Sequence, residues 1–197
     1  MAVKAGKMVI FSGPSGAGKT TVVRKVLDRS PLPLELSVSA TTRPPRPGEE
    51  DGIAYSFLSH ENFMRRRVAG EFLESAEVFG RGYWYGTLHK TVCSSLDEGK
   101  WVVLEIDVQG MQSVVQAFPH AITVFVRTDT LDELERRLRN RGTETEETIQ
   151  RRLEVARHEW QFANVYKYNV VNDILDRAVN RVCQILQAES EAICSKN

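Results

Sequence analysis

Short apolar runs rich in valine and isoleucine recur along the chain, separated by segments in which apolar residues return every three or four positions. The first pattern belongs to strands buried on both faces and the second to helices that cover them. Read this way, the sequence predicts core strands at 7–12 (KMVIFS), 34–40 (LELSVSA), 101–107 (WVVLEID), 121–126 (AITVFV) and 168–172 (YNVVN). Helices are predicted at about 19–29, 109–117, 130–141, 145–162 and 174–189. The result is an α/β core, a five-stranded parallel sheet flanked by helices. Thr130 and Glu133 have the spacing of a capping box at the start of one helix, and Gly142 stands where a C′ glycine would end it.

The alternation breaks over residues 41–100, where IAYSFLS, EFLESAEVFG and YWYGT read as short strands with turns, followed by a helix near 88–98. This stretch is an inserted lobe. A chain of 197 residues fits one domain with one organising core. No apolar run approaches the roughly 18–20 residues of a membrane-spanning helix, and MAVKAGKMVIF runs straight into a glycine segment, unlike a signal peptide. The three cysteines, 93, 183 and 194, are odd in number and lack CxxC spacing, which argues for a reducing, cytoplasmic setting rather than a disulfide framework or a zinc site. A formal net charge of zero gives no bulk attraction to nucleic acid or to an anionic membrane. Arginine nevertheless outnumbers lysine by 18 to 8, which reflects either genomic base composition or recognition of phosphate by planar guanidinium groups.

Position along the chain decides between those two. Gly13-Pro14-Ser15-Gly16-Ala17-Gly18-Lys19-Thr20 fits G-x-x-x-x-G-K-[ST] between a strand and a helix. Glycines let the backbone come close to an anion and turn successive N–H groups onto its oxygens at a helix N-terminus. Lys19 then neutralises β and γ phosphates, and the Thr20 hydroxyl ligates Mg²⁺. A plain strand-to-helix turn does not require the Gly-Lys-Thr triplet. Glu105 and Asp107 close a buried strand at the sheet edge where ligands of open α/β folds sit, so Asp107 can support Mg²⁺ through water, although either acid alone can also cap the next helix.

The segment Ser39-Ala-Thr-Thr-Arg43-Pro-Pro-Arg46-Pro-Gly48-Glu49 is proline-rich. In polyproline geometry Arg43 and Arg46 fall on one side about 9 Å apart, a pair of forks suited to phosphate. A PxxP ligand for an SH3 domain is the competing reading, but it needs an accessible, disordered segment, and this one lies between apolar runs.

Taken in order, GPSGAGKTT, SVSATTRPPRPGEEDGIAYSF, EFLESAEVFG, YGT, LEIDVQG, RLRNRGTETEETIQRRL and YNVVND closely resemble the guanylate kinases over nearly the whole chain. The resemblance implies a P-loop kinase core at about 1–40 and 97–197, an inserted GMP-binding lobe at about 41–96 and a helical lid at about 138–155. It implies transfer of the γ-phosphoryl group of ATP to GMP with Mg²⁺, in purine nucleotide metabolism. ATP is then bound by Gly13 to Lys19, Thr20 and Thr21 with Arg137 and Arg141. Lys19, Arg137, Arg141 and Arg152 act in catalysis, and Thr20 and Asp107 serve the metal. The GMP phosphate falls to Arg43, Arg46, Tyr55 and Tyr85, and guanine to Ser39, Glu74, Thr87 and Glu105. Carboxylates suit guanine because its N1–H and N2 amino group are adjacent donors, while O6 accepts from a hydroxyl. The chain departs from the family in FGRGYWYGT, which is two residues longer than usual and leaves Tyr83 as a rival to Tyr85.

The expected partners are small molecules, ATP, GMP and dGMP, with no nucleic acid and no membrane; monomer and homodimer both stay open. So do two other activities, a kinase for another phosphorylated acceptor and a non-catalytic binding module of the same fold. A GTPase is disfavoured, since no N-K-x-D-like element is present. Arg65 to Arg67 are expected on a solvated helix face, and His60, His89, His120 and His158 form no ligand pair or triad.

Overall fold

The structure, a computed structural model, describes residues 6–77, 82–140 and 145–194. Its larger sheet has five parallel strands in the order β2-β7-β1-β8-β9: β1 (Met8–Ser12), β2 (Leu34–Leu36), β7 (Trp101–Glu105), β8 (Ile122–Arg127) and β9 (Tyr168–Val171). The predicted alternation of strand and helix holds because β1, β7 and β8 are apolar on both faces, with Val9, Ile10, Phe11, Val124 and Phe125 fully buried. The flanking helices are α1 (Lys19–Arg29), α4 (Val108–Ala117), α5 (Leu131–Arg139), α6 (Glu146–Gln161) and α7 (Leu175–Cys194). The helix expected at 174–189 runs on to Cys194, since AESEAIC contains neither glycine nor proline to stop it.

A second, mixed sheet of four strands has the order β4-β3-β6-β5: β3 (Ala40–Thr41), β4 (Ser56–Phe57), β5 (Phe72–Glu77) and β6 (Trp84–Leu88). It is accompanied by α2 (His60–Val68) and α3 (His89–Asp97). Here the sequence expectation needs correction: LELSVSA is not one core strand. The Ser37 N–H still donates to the Val103 carbonyl at 2.9 Å, but three residues on, Ala40 pairs with Ser56 and Gly86 in the smaller sheet. The chain changes partner at Ser37–Ser39.

The chain divides into two compact units, Met1–Val9, Leu34–Leu104 and Gln109–Ala121 in the first, and Ile10–Pro33, Glu105–Val108 and Ile122–Asn197 in the second. In the first, Phe63 of α2 is fully buried and stacks on Phe72 of β5 with ring centroids 4.5 Å apart. Ser59 caps α2 through Asn62 N–H at 3.2 Å. Arg65 to Arg67 follow on this helix, and the expectation of a purely solvated face is incomplete: the Arg67 guanidinium lies 4.3 Å from the Trp84 ring centroid. In the second, Ala17, Leu134, Leu138, Ile149, Leu153 and Ala156 form one buried cluster. Thr130 accepts from Glu133 N–H at 3.1 Å as expected, but the Glu133 carboxylate turns to Arg136 and Arg137 instead of closing the box. Gly142 lies outside the described residues.

Truncating Phe63 removes the stacked ring that fixes α2 on β5, so Phe63→Ala should destabilise the protein by about 3–5 kcal/mol. Urea denaturation followed by fluorescence checks this, and an unchanged midpoint would refute the packing argument.

Candidate active site

In the second unit β1 ends in the glycine loop. Gly13, Gly16 and Gly18 have φ of 136°, 100° and 85°, the left-handed region that favours glycine. The crowding is as important as the torsions: a Cβ on Gly13 would lie 2.0 Å from the Val126 carbonyl oxygen, and one on Gly16 would lie 2.9 Å from Leu138 Cδ2. Gly18 is the N-cap of α1 and supplies no side chain, and the first turn, Lys19-Thr20-Thr21, holds no acid. By contrast α2, α5 and α6 are capped by Ser59, Thr130 and Thr145. The first N–H groups of α1 are therefore left for an anion, and the helix dipole adds to their field.

Lys19 folds back across its own loop, donating to the Gly13 carbonyl at 2.6 Å. Pro14 is buried and Ser15 half-buried, and Ser15 Oγ receives Arg152 Nη1 at 3.4 Å. Arg152 of α6 is thus beside the loop. Arg137 of α5 donates through Nε to Glu133 at 2.8 Å and through Nη2 to the Asn172 carbonyl at 2.8 Å. Arg141 lies outside the described residues. Arg139, which the sequence reading did not single out, joins α5 and α6: its guanidinium grips Glu146 at 2.5 and 2.8 Å and Glu135 at 2.8 Å.

Thr20 Oγ1 donates to Glu105 Oε1 at 2.5 Å, and Asp107 follows two residues later, with its carbonyl 3.4 Å from Ser12 Oγ. Thr21 is exposed. These are hard oxygen donors, and among the described residues no group of three or more His, Cys, Asp or Glu side chains gathers as a metal cage. Such a set fits a cation that draws most of its ligands from phosphate and water, the habit of Mg²⁺.

Two acidic groups escaped the sequence reading. Glu159 of α6 has its carboxyl pKa raised to about 7, chiefly by burial; the Lys19 ammonium pulls it down and the Asp107 carboxylate pushes it up. Tyr166, 4% exposed, has its ionisation pushed up by burial as well. Neither sits in a motif, so no sequence signal marked them.

In the first unit, Arg43 is 8% exposed and fully engaged. It donates through Nε to the Tyr85 hydroxyl at 3.2 Å, through Nη1 to the Pro44 carbonyl at 2.7 Å and through Nη2 to Glu49 at 2.9 Å. Burial opposes its charge, but the bonds to Glu49 and Tyr85 outweigh that and hold the guanidinium pKa above its ordinary value. The other Glu49 oxygen takes the Arg46 N–H at 2.8 Å. Pro47 and Gly48, with φ of 84°, make the turn that brings Glu49 N–H to the Arg46 carbonyl at 3.0 Å. The Arg46 guanidinium is exposed and bears no hydrogen bond or ion pair among the described residues. Tyr55 meets Tyr85 edge-on at 5.8 Å and lies 5.4 Å under Arg43. Tyr85, rather than its rival Tyr83, therefore shares the arginine's surroundings.

Thr87 of β6 is fully buried, and its hydroxyl donates to Glu74 Oε1 at 2.7 Å across the paired strand β5. Ser39 is half-buried and its carbonyl accepts from Ser56 N–H at 2.9 Å. Of the expected guanine set, Glu74 and Thr87 are in contact, whereas Glu105 belongs to the second unit and is bonded to Thr20.

A family model of guanylate kinases matches residues 5–189. The chain belongs to the guanylate kinase family. A guanylate kinase from Rhodopirellula baltica is 53% identical over 98% of this chain and 93% of its own length. One from Hydrogenovibrio crunogenus is 44% identical over 98% and 92%. The crystal structure of guanylate kinase from Anaplasma phagocytophilum superposes with a TM-score of 0.76 at 31% identity, covering 94% of this chain and 87% of that one. The guanylate kinase family comprises ATP:GMP phosphotransferases.

The Glu159 proton carries a pH dependence. A glutamate in the unfolded chain releases it near the ordinary value of 4.5, whereas the folded protein holds it to about 7. Between those values the folded state binds more protons, so this group's contribution falls as pH rises and levels off above the folded pKa. Glu159→Gln should therefore leave stability unchanged near pH 4 and raise it by on the order of 2 kcal/mol at pH 8. Denaturant titrations across that range test it; parallel profiles for the two proteins would contradict it.

Proposed function

We propose a division of labour among these residues for the family reaction, in which the γ-phosphoryl group of ATP passes to GMP to give ADP and GDP. The observation that carries the reading is the Thr87–Glu74 pair, a fully buried hydroxyl locked to a carboxylate at 2.7 Å. A Glu74 carboxylate oriented by Thr87 is an acceptor suited to adjacent N–H donors, which guanine has and adenine lacks. Ser39 and Glu105 complete the guanine set, with the Ser39 hydroxyl as the donor to O6. Arg43, Arg46, Tyr55 and Tyr85 receive the GMP phosphate.

At the donor side, residues 13–18 and the open turn of α1 cradle the ATP phosphates together with Lys19 and Thr21. Thr20 and Asp107 hold Mg²⁺, which when bound offsets phosphate charge and orients the nucleotide. Arg137, Arg141 and Arg152 bring positive charge to the transferred group. The second pKa of a phosphomonoester is about 6, so the acceptor oxygen is already anionic at neutral pH and needs no general base. Catalysis then consists of aligning two polyanions and stabilising the charge spread over the moving phosphoryl. Residues 41–96 form the acceptor lobe and 138–155 the lid, whose closure excludes water. None of the assigned acceptor residues reads the ribose 2′ position, so dGMP is included as an acceptor. The reading also includes a cytoplasmic location, supported by the free Cys93 and Cys183; no helix among the described residues is long and apolar enough to cross a membrane.

The test is a coupled ADP-release assay with ATP and Mg²⁺ against GMP, dGMP, AMP, UMP and CMP. Acceptors that leave buried polar groups unpaired are rejected by about 10⁴ to 10⁵, so AMP should be a very poor substrate. Glu74→Gln should lower kcat/KM for GMP by tenfold or more, on the order of 1–3 kcal/mol for a lost charge-assisted bond, with the KM for ATP unchanged. Phosphorylation of AMP within tenfold of GMP would sink the assignment of the acceptor site.

A further inference from the structure

Asn172 follows directly on β9, is 6% exposed, and bonds in three directions. Its N–H donates to the Arg127 carbonyl at 2.7 Å and extends the ladder by one residue. Its side-chain Nδ2 donates to the Ala17 carbonyl in the glycine loop at 2.8 Å, across 155 residues of sequence. Its own carbonyl accepts from Arg137 Nη2 at 2.8 Å. The fit is close, because a Cβ on Gly18 would come within 2.5 Å of the same Nδ2.

The first of these bonds is sheet geometry, but the other two reach groups assigned to ATP. In a trans peptide the C=O and N–H point in opposite directions, and the structure contains no cis peptide among the described residues. Holding the Ala17 carbonyl on Asn172 therefore turns the Gly18 N–H to the opposite side of that peptide plane, away from Asn172. Gly18 is the left-handed N-cap of α1, with φ of 85° and ψ of 22°, so this N–H stands at the mouth of the uncapped helix. Glycine resists peptide rotation less than any other residue, so the orientation needs an external anchor. Arg137 is anchored as well: Glu133 and the Asn172 carbonyl take Nε and Nη2, and Nη1 has no partner among the described residues.

We propose that Asn172 is a positioning residue for phosphoryl transfer. Its side-chain amide sets the Gly18 N–H of the phosphate cradle, and its main-chain carbonyl sets the Arg137 guanidinium. The proposal rests on the reading of residues 13–20 as the ATP site. Only a donor suits the side-chain task. Aspartate has the same shape but only accepts when ionised, so it would face the Ala17 carbonyl with lone pairs and add negative charge beside the phosphates; protonated, it donates again.

Asn172→Ala and Asn172→Asp are to be compared with the wild type in steady-state kinetics from pH 8 to pH 6. The expected result is a KM for ATP raised about tenfold or more in the alanine variant, the effect of one lost buried bond, and raised further in the aspartate variant at pH 8. The KM for GMP stays within twofold. The aspartate variant's kcat/KM for ATP, taken relative to the alanine variant, rises as pH falls and the carboxyl regains its proton. A merely structural role would move both KM values together and leave that ratio flat, and either result overturns the proposal, as does a wild-type KM for ATP in both variants. Should the alanine variant not fold, the isosteric aspartate variant decides alone through its ratio to wild type; failure of both to fold makes the residue structural and the proposal wrong. A wild-type protein inactive with ATP and GMP would instead overturn the reading of the loop, and this proposal with it.

Discussion

Between Gly13 and Gly18 the chain holds three glycines at φ of 136°, 100° and 85°, and a glycine-rich chain has no tendency of its own to keep one such conformation. The surrounding core imposes the conformation. Ala17 is fully buried against Leu134, Leu138 and Leu153, and Gly16 has no space for a Cβ beside Leu138. The loop is thus a surface layer of the α5–α6 cluster, and its stiffness comes from side chains more than a hundred residues later. The crowding at Gly13 and Val126 adds a third support, from β8. Close packing of this kind tolerates little change in volume, which is why a loop made almost wholly of backbone depends so strongly on the side chains packed beneath it.

The residues around Arg43 and Glu74 are organised by charge rather than by close packing. Glu49 divides its two oxygens between the Arg43 guanidinium and the Arg46 N–H, and Thr87 spends its hydroxyl on Glu74. In each case one polar group is already satisfied within the protein and holds another in place. The Arg46 N–H first, against the effect of burial, and then the Arg43 guanidinium hold the Glu49 carboxyl pKa below its ordinary value.

Much of this was legible in the sequence, because the signals were local. Five apolar runs marked the five strands of the main sheet, and the G-x-x-x-x-G-K-T spacing marked the glycine loop between β1 and α1 before any coordinates. What was hidden depended on distant partners. The alternation of LELSVSA continues without interruption through Ser37–Ser39, so nothing in it marks the change from Val103 to Ser56 and Gly86 as neighbour. Glu159 reads as one more polar residue on a helix; only folding sets it within the fields of Lys19 and Asp107. Asn172 was inside the recognised segment YNVVND, yet its bond to Ala17 spans 155 residues and no spacing rule reaches that far.

The partition of Glu49 also fixes the charge balance of the Arg-Pro segment. Arg43 and Arg46 contribute two positive charges and Glu49 one negative, and the negative one sits against Arg43 at 2.9 Å. The charge of the buried arginine is therefore compensated within the protein itself. The single uncompensated charge of the segment resides on Arg46, exposed at the tip of the turn. Long-range attraction for an incoming anion, and its sensitivity to salt, should follow the exposed residue rather than the buried one.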